Sequence, residues 1–308
     1  MLDPNQVIEA FIKTSTLLPT ALPTHSVAPI PTVIPSPSAP VWEKTHSAGK
    51  ITLWVAFAIF FISTLILGFL AWRTPVQKRL FHILVTFLTA ISTIAYYAQA
   101  TGAGSTVVHY VITETHKHVP NTFQDVYRQV FWAHTVDSAI TFPVVILTLA
   151  LLAGISGANI LVIILAHIAL ALTTVLASFA TMKSASKWGW IVHAVLAFLV
   201  IVYQLVVPGR RAINAKGDVA TGKFYAAIGG YTLVIWILYL VVWGVTEGTR
   251  NWSVDTEIIA YAVLDILAKP VFAFWLIFAY GKKSAVIDGF WTHGLASEGT
   301  VRLEDEEA

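Results

Sequence analysis

The sequence predicts an all-α membrane protein, a bundle of seven transmembrane helices. Two observations carry this. Of the 308 residues, 56% are hydrophobic and 12% are charged, against roughly 25% charged in an ordinary soluble domain. Seven apolar runs, at about 50–72, 79–101, 127–152, 158–181, 188–207, 223–246 and 255–281, are each long enough to cross a hydrocarbon core about 30 Å thick at about 1.5 Å per helical residue. The formal charge of +2 gives no footprint for a nucleic-acid partner. With no cysteine in the chain, disulfides, thiolate catalysis and Cys-ligated metals are excluded.

Taken in order, residues 1–46 hold most of the prolines and read as a disordered extracellular tail rich in Pro, Ser and Thr, without a signal-peptide core. Residues 47–283 are the seven-helix domain. Its links are mostly short, with longer ones at 102–126 and 208–222. Residues 284–308 are a solvated tail ending in the acidic run Glu304, Asp305, Glu306, Glu307. Arg73, Lys78, Arg79, Arg210, Arg211, Lys216, Lys223, Lys282, Lys283 and Arg302 share one side of the membrane. The positive-inside bias therefore puts the N-terminus outside and the C-terminus in the cytoplasm. Asn251-Trp252-Ser253 is a glycosylation sequon too near the membrane to be used. The stretch Thr101-Gly102-Ala103-Gly104-Ser105 lacks a phosphate-loop lysine and ends span two, and the histidines lack ligand-pair spacing, so no metal site is expected.

Ionisable groups inside a bilayer are costly, by about 2.5–3.5 kcal/mol each, and therefore mark function. Span seven carries Asp265 and Lys269, four apart and on one helix face. Span three carries His134 and Asp137, span four His167 and span five His193, while His82 lies near enough to the start of span two to reach water. The Asp265–Lys269 pair reads equally as a structural ion pair or as a desolvated amine able to form a Schiff base. Trp236, Tyr239 and Trp243 are spaced i, i+3, i+7, which puts three rings on one face, and Tyr96 and Tyr97 add aromatic surface from span two. Any one ring can be mere packing. A lysine, two aspartates and converging rings in one bundle would suit a slot for a long conjugated cation.

The segment Leu264-Asp265-Ile266-Leu267-Ala268-Lys269-Pro270-Val271-Phe272 resembles the last helix of microbial rhodopsins, the fungal opsin branch especially. The pattern Arg128-Gln129-Val130-Phe131-Trp132-Ala133-His134-Thr135-Val136-Asp137, with Thr141 and Pro143, is similar to their third helix, and Lys187-Trp188-Gly189-Trp190 to the entrance of the fifth. The resemblance covers all seven spans. It implies a microbial-rhodopsin bundle with all-trans retinal held as a protonated Schiff base on Lys269. It further implies Asp137 and Asp265 as counterions, Asp137 as proton acceptor, and Thr141 as a hydrogen-bond partner of that aspartate. Tyr96, Ser138, Trp190, Trp236, Tyr239 and Trp243 would line the chromophore, and Glu247 and Glu257 would be the carboxylates that release the proton.

Against that family pattern, the internal proton donor's place, eleven residues beyond Asp137 and only about 20° off its face, is held by Thr148, which cannot store a proton. His134 stands where the family has an arginine, leaving two aspartates against one cation. Either His134 is charged or Asp137 holds a proton, and the pocket should respond to pH where histidine ordinarily titrates. Ser138 replaces a tryptophan, Leu240 a proline and His167 a carboxylate. We read His167 and His193 as interhelical hydrogen-bonding groups. The expected function is a light-activated retinal protein with weak or slow outward proton translocation. Alternatives are a photosensor with a slow photocycle, or an opsin-related protein that no longer uses light. It is not read as an enzyme. Its expected partners are the lipid bilayer and protons, with room for a homo-oligomer, and by family resemblance alone its membrane is the plasma membrane.

Overall fold

The computed structural model describes residues 39–115, 121–179 and 185–280. The main body is drawn from residues 39–112 and from 124 onward; the described residues of 113–123 count to a second unit, which holds the end of one strand and the start of another. Among the described residues, seven helices are long and apolar enough to cross a membrane: α1 (Ser47–Arg73), α2 (Leu80–Ala100), α3 (Trp132–Ala153), α4 (Gly157–Phe179), α5 (Ala185–Lys216), α6 (Val219–Gly248) and α7 (Val254–Tyr280). The protein is an integral membrane protein. Trp54, Leu65, Phe69 and Trp72 of α1 are exposed, as lipid-facing side chains must be where the solvent is itself apolar.

Local chemistry explains where the helices stop. α1 ends at Arg73 because Thr74 precedes Pro75 and is driven to extended backbone; Arg79 then donates to the free Thr74 and Trp72 carbonyls at 3.0 and 3.2 Å. α3 ends at Gly154 (φ 76°) and α5 at Gly217 (φ 69°), left-handed positions that favour glycine. Asp218 caps α6 by accepting from the Ala220 and Thr221 amides, and Ser253 caps α7 by accepting from Thr256. Two wide, π-type turns interrupt the regular winding, Gly244–Gly248 at the end of α6 and Leu267–Val271 within α7. The second contains Lys269 and Pro270; the proline lacks an N–H for the helical ladder, which a local widening accommodates.

Several boundaries differ from the sequence-based expectation. The third span begins at Trp132, not 127, because Thr122–Val130 is a strand (β3). Its buried Val126 and Arg128 alternate with more exposed neighbours, a period of two that overrides the apolar run. The link 102–126 also holds β2 (Thr106–Glu114), and β1 (Val41–Glu43) lies within the region expected to be tail. The sheet order is β1-β3-β2, with β1 parallel to β3 and Val41 opposite Val126. α5 runs past Pro208 through most of the expected 208–222 link, since Gly209–Lys216 is rich in Arg, Ala and Lys and an isolated proline is tolerated in a spanning helix. The expected disordered N-terminal stretch up to residue 38 and the acidic C-terminal tail lie outside the described residues.

Candidate functional site

The site is assembled from α7, α3, α2 and α6. Asp265 and Lys269 share a face of α7, and the fully buried Lys269 Nζ lies 2.8 Å from Asp265 Oδ1. α3 brings in Asp137, buried to 1% exposure, with Oδ2 2.5 Å from the same nitrogen. One cation thus sits between two anions in a water-poor interior, which lowers the cost of burying all three. Hydroxyl donors complete the carboxylates: Ser92 Oγ donates to Asp137 at 2.8 Å, and Tyr96 and Tyr239 each donate to Asp265 at 2.6 Å.

One expected partner is arranged differently. Thr141 Oγ1 donates to the Asp137 backbone carbonyl at 2.7 Å, as threonines in helices commonly do, so it does not reach the carboxylate, and Ser92 fills that role from the neighbouring helix. His134 points Nε2 at Asp265 Oδ2, 3.3 Å away, with its ring 4.4 Å from that of Tyr261. Ser138 Oγ turns back to the His134 carbonyl at 3.0 Å.

A cavity of about 360 Å³ adjoins this network, and its walls include Tyr96, Ser138, Phe142, Tyr239, Trp243 and His167. Phe142 is central: its ring lies 5.8 Å from Lys269 Nζ, 5.3 Å from Tyr239, 5.6 Å from Trp236 and 5.9 Å from His167. Among the described residues, Trp236 Nε1 is buried without a hydrogen-bond partner, while His167 on α4 is set against the Ser138 backbone of α3. Trp190 is not among the cavity's walls; it lies on α5 beside His193, ring centroids 6.0 Å apart. His193 is exposed and bonds the Gly189 carbonyl of its own helix at 2.8 Å, so it is not an interhelical group. His82 is buried rather than water-reaching, beside the Lys78 backbone. Thr148 is buried and donates to the Val144 carbonyl.

At the sheet-bearing end, the largest feature that sequence reasoning missed is Arg128. Its side chain is 2% exposed; Nη1 lies 2.6 Å from Glu43 and Nη2 2.5 Å from Glu257. Burial works against the guanidinium charge, but the Glu257 and Glu43 carboxylates more than offset it and hold the group above its ordinary value. No sequence signal marks it: only the structure shows that Arg128 is buried on the same strand face as Val126. Glu257 is therefore ion-paired, and Glu247, which also lines the cavity, accepts from Lys187 Nζ through its backbone carbonyl. Arg250 lies 4.0 Å from the Tyr110 ring, and burial raises that phenol above its usual range.

A family model described as bacteriorhodopsin-like protein matches residues 47–282. Opsin-1 of Neurospora crassa is 36% identical over 311 aligned positions, covering 100% of both chains. Opsin-like protein carO of Fusarium fujikuroi is 32% identical over 75% of this chain and 73% of its own. Among solved structures, a light-driven proton pump from Leptosphaeria maculans superposes with a TM-score of 0.76 at 42% identity, covering 79% of this chain and 98% of its own.

Proposed function

The chain belongs to the bacteriorhodopsin-like family, within its fungal opsin branch, and we propose that it is a light-activated retinal protein that moves protons outward slowly, with Lys269 as the attachment point. That family binds retinal through a Schiff base to a lysine. The observation that carries the proposal is the buried Lys269 Nζ held between Asp137 and Asp265 and fronted by an aromatic wall. The residues fit the chromophore. The cavity is concave and predominantly apolar, walled by Tyr96, Phe142, Tyr239 and Trp243, as a long conjugated hydrocarbon requires.

Retinal bound there supplies light absorption and an isomerisation that alters the proton affinity of the attached nitrogen. The chain's own residues do the rest. Tyr96, Tyr239, Phe142 and Trp243 would orient and enclose the polyene, and Trp236 packs against Phe142 with ring centroids 5.6 Å apart. Asp265 accepts two tyrosine hydroxyls and faces His134, so its charge is the better compensated and it serves as the standing counterion. Asp137 accepts one hydroxyl, from Ser92, and is the carboxylate left to take a proton. Glu247 and Glu257 lie on the exit side, which the positive-inside bias makes extracellular. The plasma membrane is proposed as the site of action from the family alone. Thr148 favours a second reading, a photosensor whose slow photocycle is its output, because its hydroxyl can neither store nor deliver a proton and is already spent on Val144.

The test adds all-trans retinal to membranes holding the protein. A visible band should form and be absent from Lys269→Ala. No band in the wild type overturns the proposal. Given a band, protonophore-sensitive acidification outside illuminated cells supports pumping, and a cycle of seconds without acidification supports sensing.

A further inference from the structure

At the end of the bundle remote from the sheet, α5 and α6 diverge around a groove of about 730 Å³. The Gly217 turn reverses the chain, and Tyr225 on α6 donates to the Leu205 carbonyl on α5 at 2.7 Å, forming the floor. Gly209 admits that ring, since any Cβ there would strike Tyr225. Gly229 and Gly230 act in the opposite way. A Cβ at either would meet nothing within 4 Å, so these glycines leave space instead of drawing helices together. Leu205 and Leu233 supply apolar walls.

The rim is cationic. Arg210 and Lys223 both line the groove, are exposed, and form no ion pair among the described residues. The acidic group on the rim, Asp218, accepts from the Ala220 and Thr221 amides and from the Thr221 hydroxyl at 2.5 Å, and two cations outnumber this one carboxylate at the groove. From Gly222 at the rim to Leu233 at the inner end is eleven residues of α6, about 16 Å at 1.5 Å each, close to half of a hydrocarbon core about 30 Å thick. A charged mouth above an apolar slot one leaflet deep, between two spanning helices, matches one class of molecule in both charge and length. We propose that this groove binds one anionic phospholipid, its headgroup phosphate on Arg210 and Lys223 and one acyl chain along Gly229 and Gly230. The proposal does not rest on the photochemical reading.

The experiment uses the purified full chain in the dark, in mild detergent with equal amounts of phosphatidylglycerol and phosphatidylcholine of identical acyl chains. Retained lipid is counted by native mass spectrometry. One phosphatidylglycerol should be retained in preference to phosphatidylcholine, and Arg210→Gln and Lys223→Gln should each weaken that preference about fivefold. Gly230→Leu should lower retention of both lipids by filling the slot. Arg210→Lys with Lys223→Arg should keep the preference, which separates charge recognition from a folding defect. The pair Arg211→Gln and Lys216→Gln has the same net charge as the paired rim variants, and Arg211 lines a different cavity, so it should change nothing. Equal retention of the two lipids, an equal loss in that control pair, or an unchanged preference without Arg210 and Lys223 overturns the proposal. So does displacement of the lipid by inorganic phosphate alone, which would make the groove a site for a free anion.

Discussion

Two regions of the bundle solve one electrostatic problem with different cations. In the interior, Lys269 lies between Asp137 and Asp265; at the sheet-bearing end, Arg128 lies between Glu43 and Glu257. Both cations are buried. The inner carboxylates come from two helices and are each held by additional hydroxyl donors, whereas the outer ones come from β1 and α7, so that Arg128 ties the first described segment of the chain to the last helix. The choice of cation follows the task. A guanidinium is permanently charged, planar and forked, which suits a clamp that engages two acceptors and the Trp252 carbonyl at once. An amine is a compact charge that can be deprotonated and covalently modified, which suits chemistry. On the proposed function, the outer cluster is a fastening and the inner one a reactive centre.

Substitutions that treat the two clusters alike should have unlike consequences. The largest effect is expected at Asp137. In Asp137→Asn the retinal-loaded protein should keep a visible band at a shifted wavelength and lose light-driven acidification completely, as read by a pH electrode on illuminated cells; undiminished acidification would remove Asp137 from the proton path. Next, Arg128→Ala strands two carboxylates and should cost about 3–5 kcal/mol, seen as an earlier loss of helical circular dichroism on heating, with the band position unchanged. A band that moves with Arg128→Ala would mean that the two clusters are coupled. A third carboxylate sharpens the comparison from the other side. Thr148→Asp should shorten the recovery phase of flash absorption by on the order of 100-fold, the lower range for a placed acid or base, and no change would mean that the path from Thr148 inward is closed. The smallest effect is expected from Glu43→Gln. Its side chain is 33% exposed and it shares Arg128 with Glu257, so a loss of under about 1 kcal/mol in the same melting experiment fits a partly hydrated pair.

The inner cluster was half legible in the sequence. Asp265 and Lys269 are four apart, and helical geometry alone places them together. Asp137 could be named because aspartate inside an apolar run is rare. Its donor was misread, since Thr141 one turn away is the obvious local candidate while Ser92, 45 positions earlier, is an ordinary serine in an ordinary helix. His134 shows the same limit: it shares a helix with Asp137 but faces the aspartate of α7. The outer cluster was not legible. Arg128 sits in a run whose apolar content reads as helix, and its partners lie 85 and 129 positions away.

The sequence by itself determined that the chain must live in a bilayer, where among the described residues its spans begin and end to within a few residues apart from the third start and the fifth end, and that an amine and a carboxylate share a face of α7. These are one-dimensional properties: hydrophobic length, proline and glycine punctuation, and a period of 3.6 residues. Tertiary structure decided which hydroxyls reach the carboxylates, where His134 points, that β3 is a strand, and that Arg128 is buried. Each of these depends on which groups from distant parts of the chain compete for one donor or acceptor in a space without water, and such competition leaves no periodic mark in the sequence.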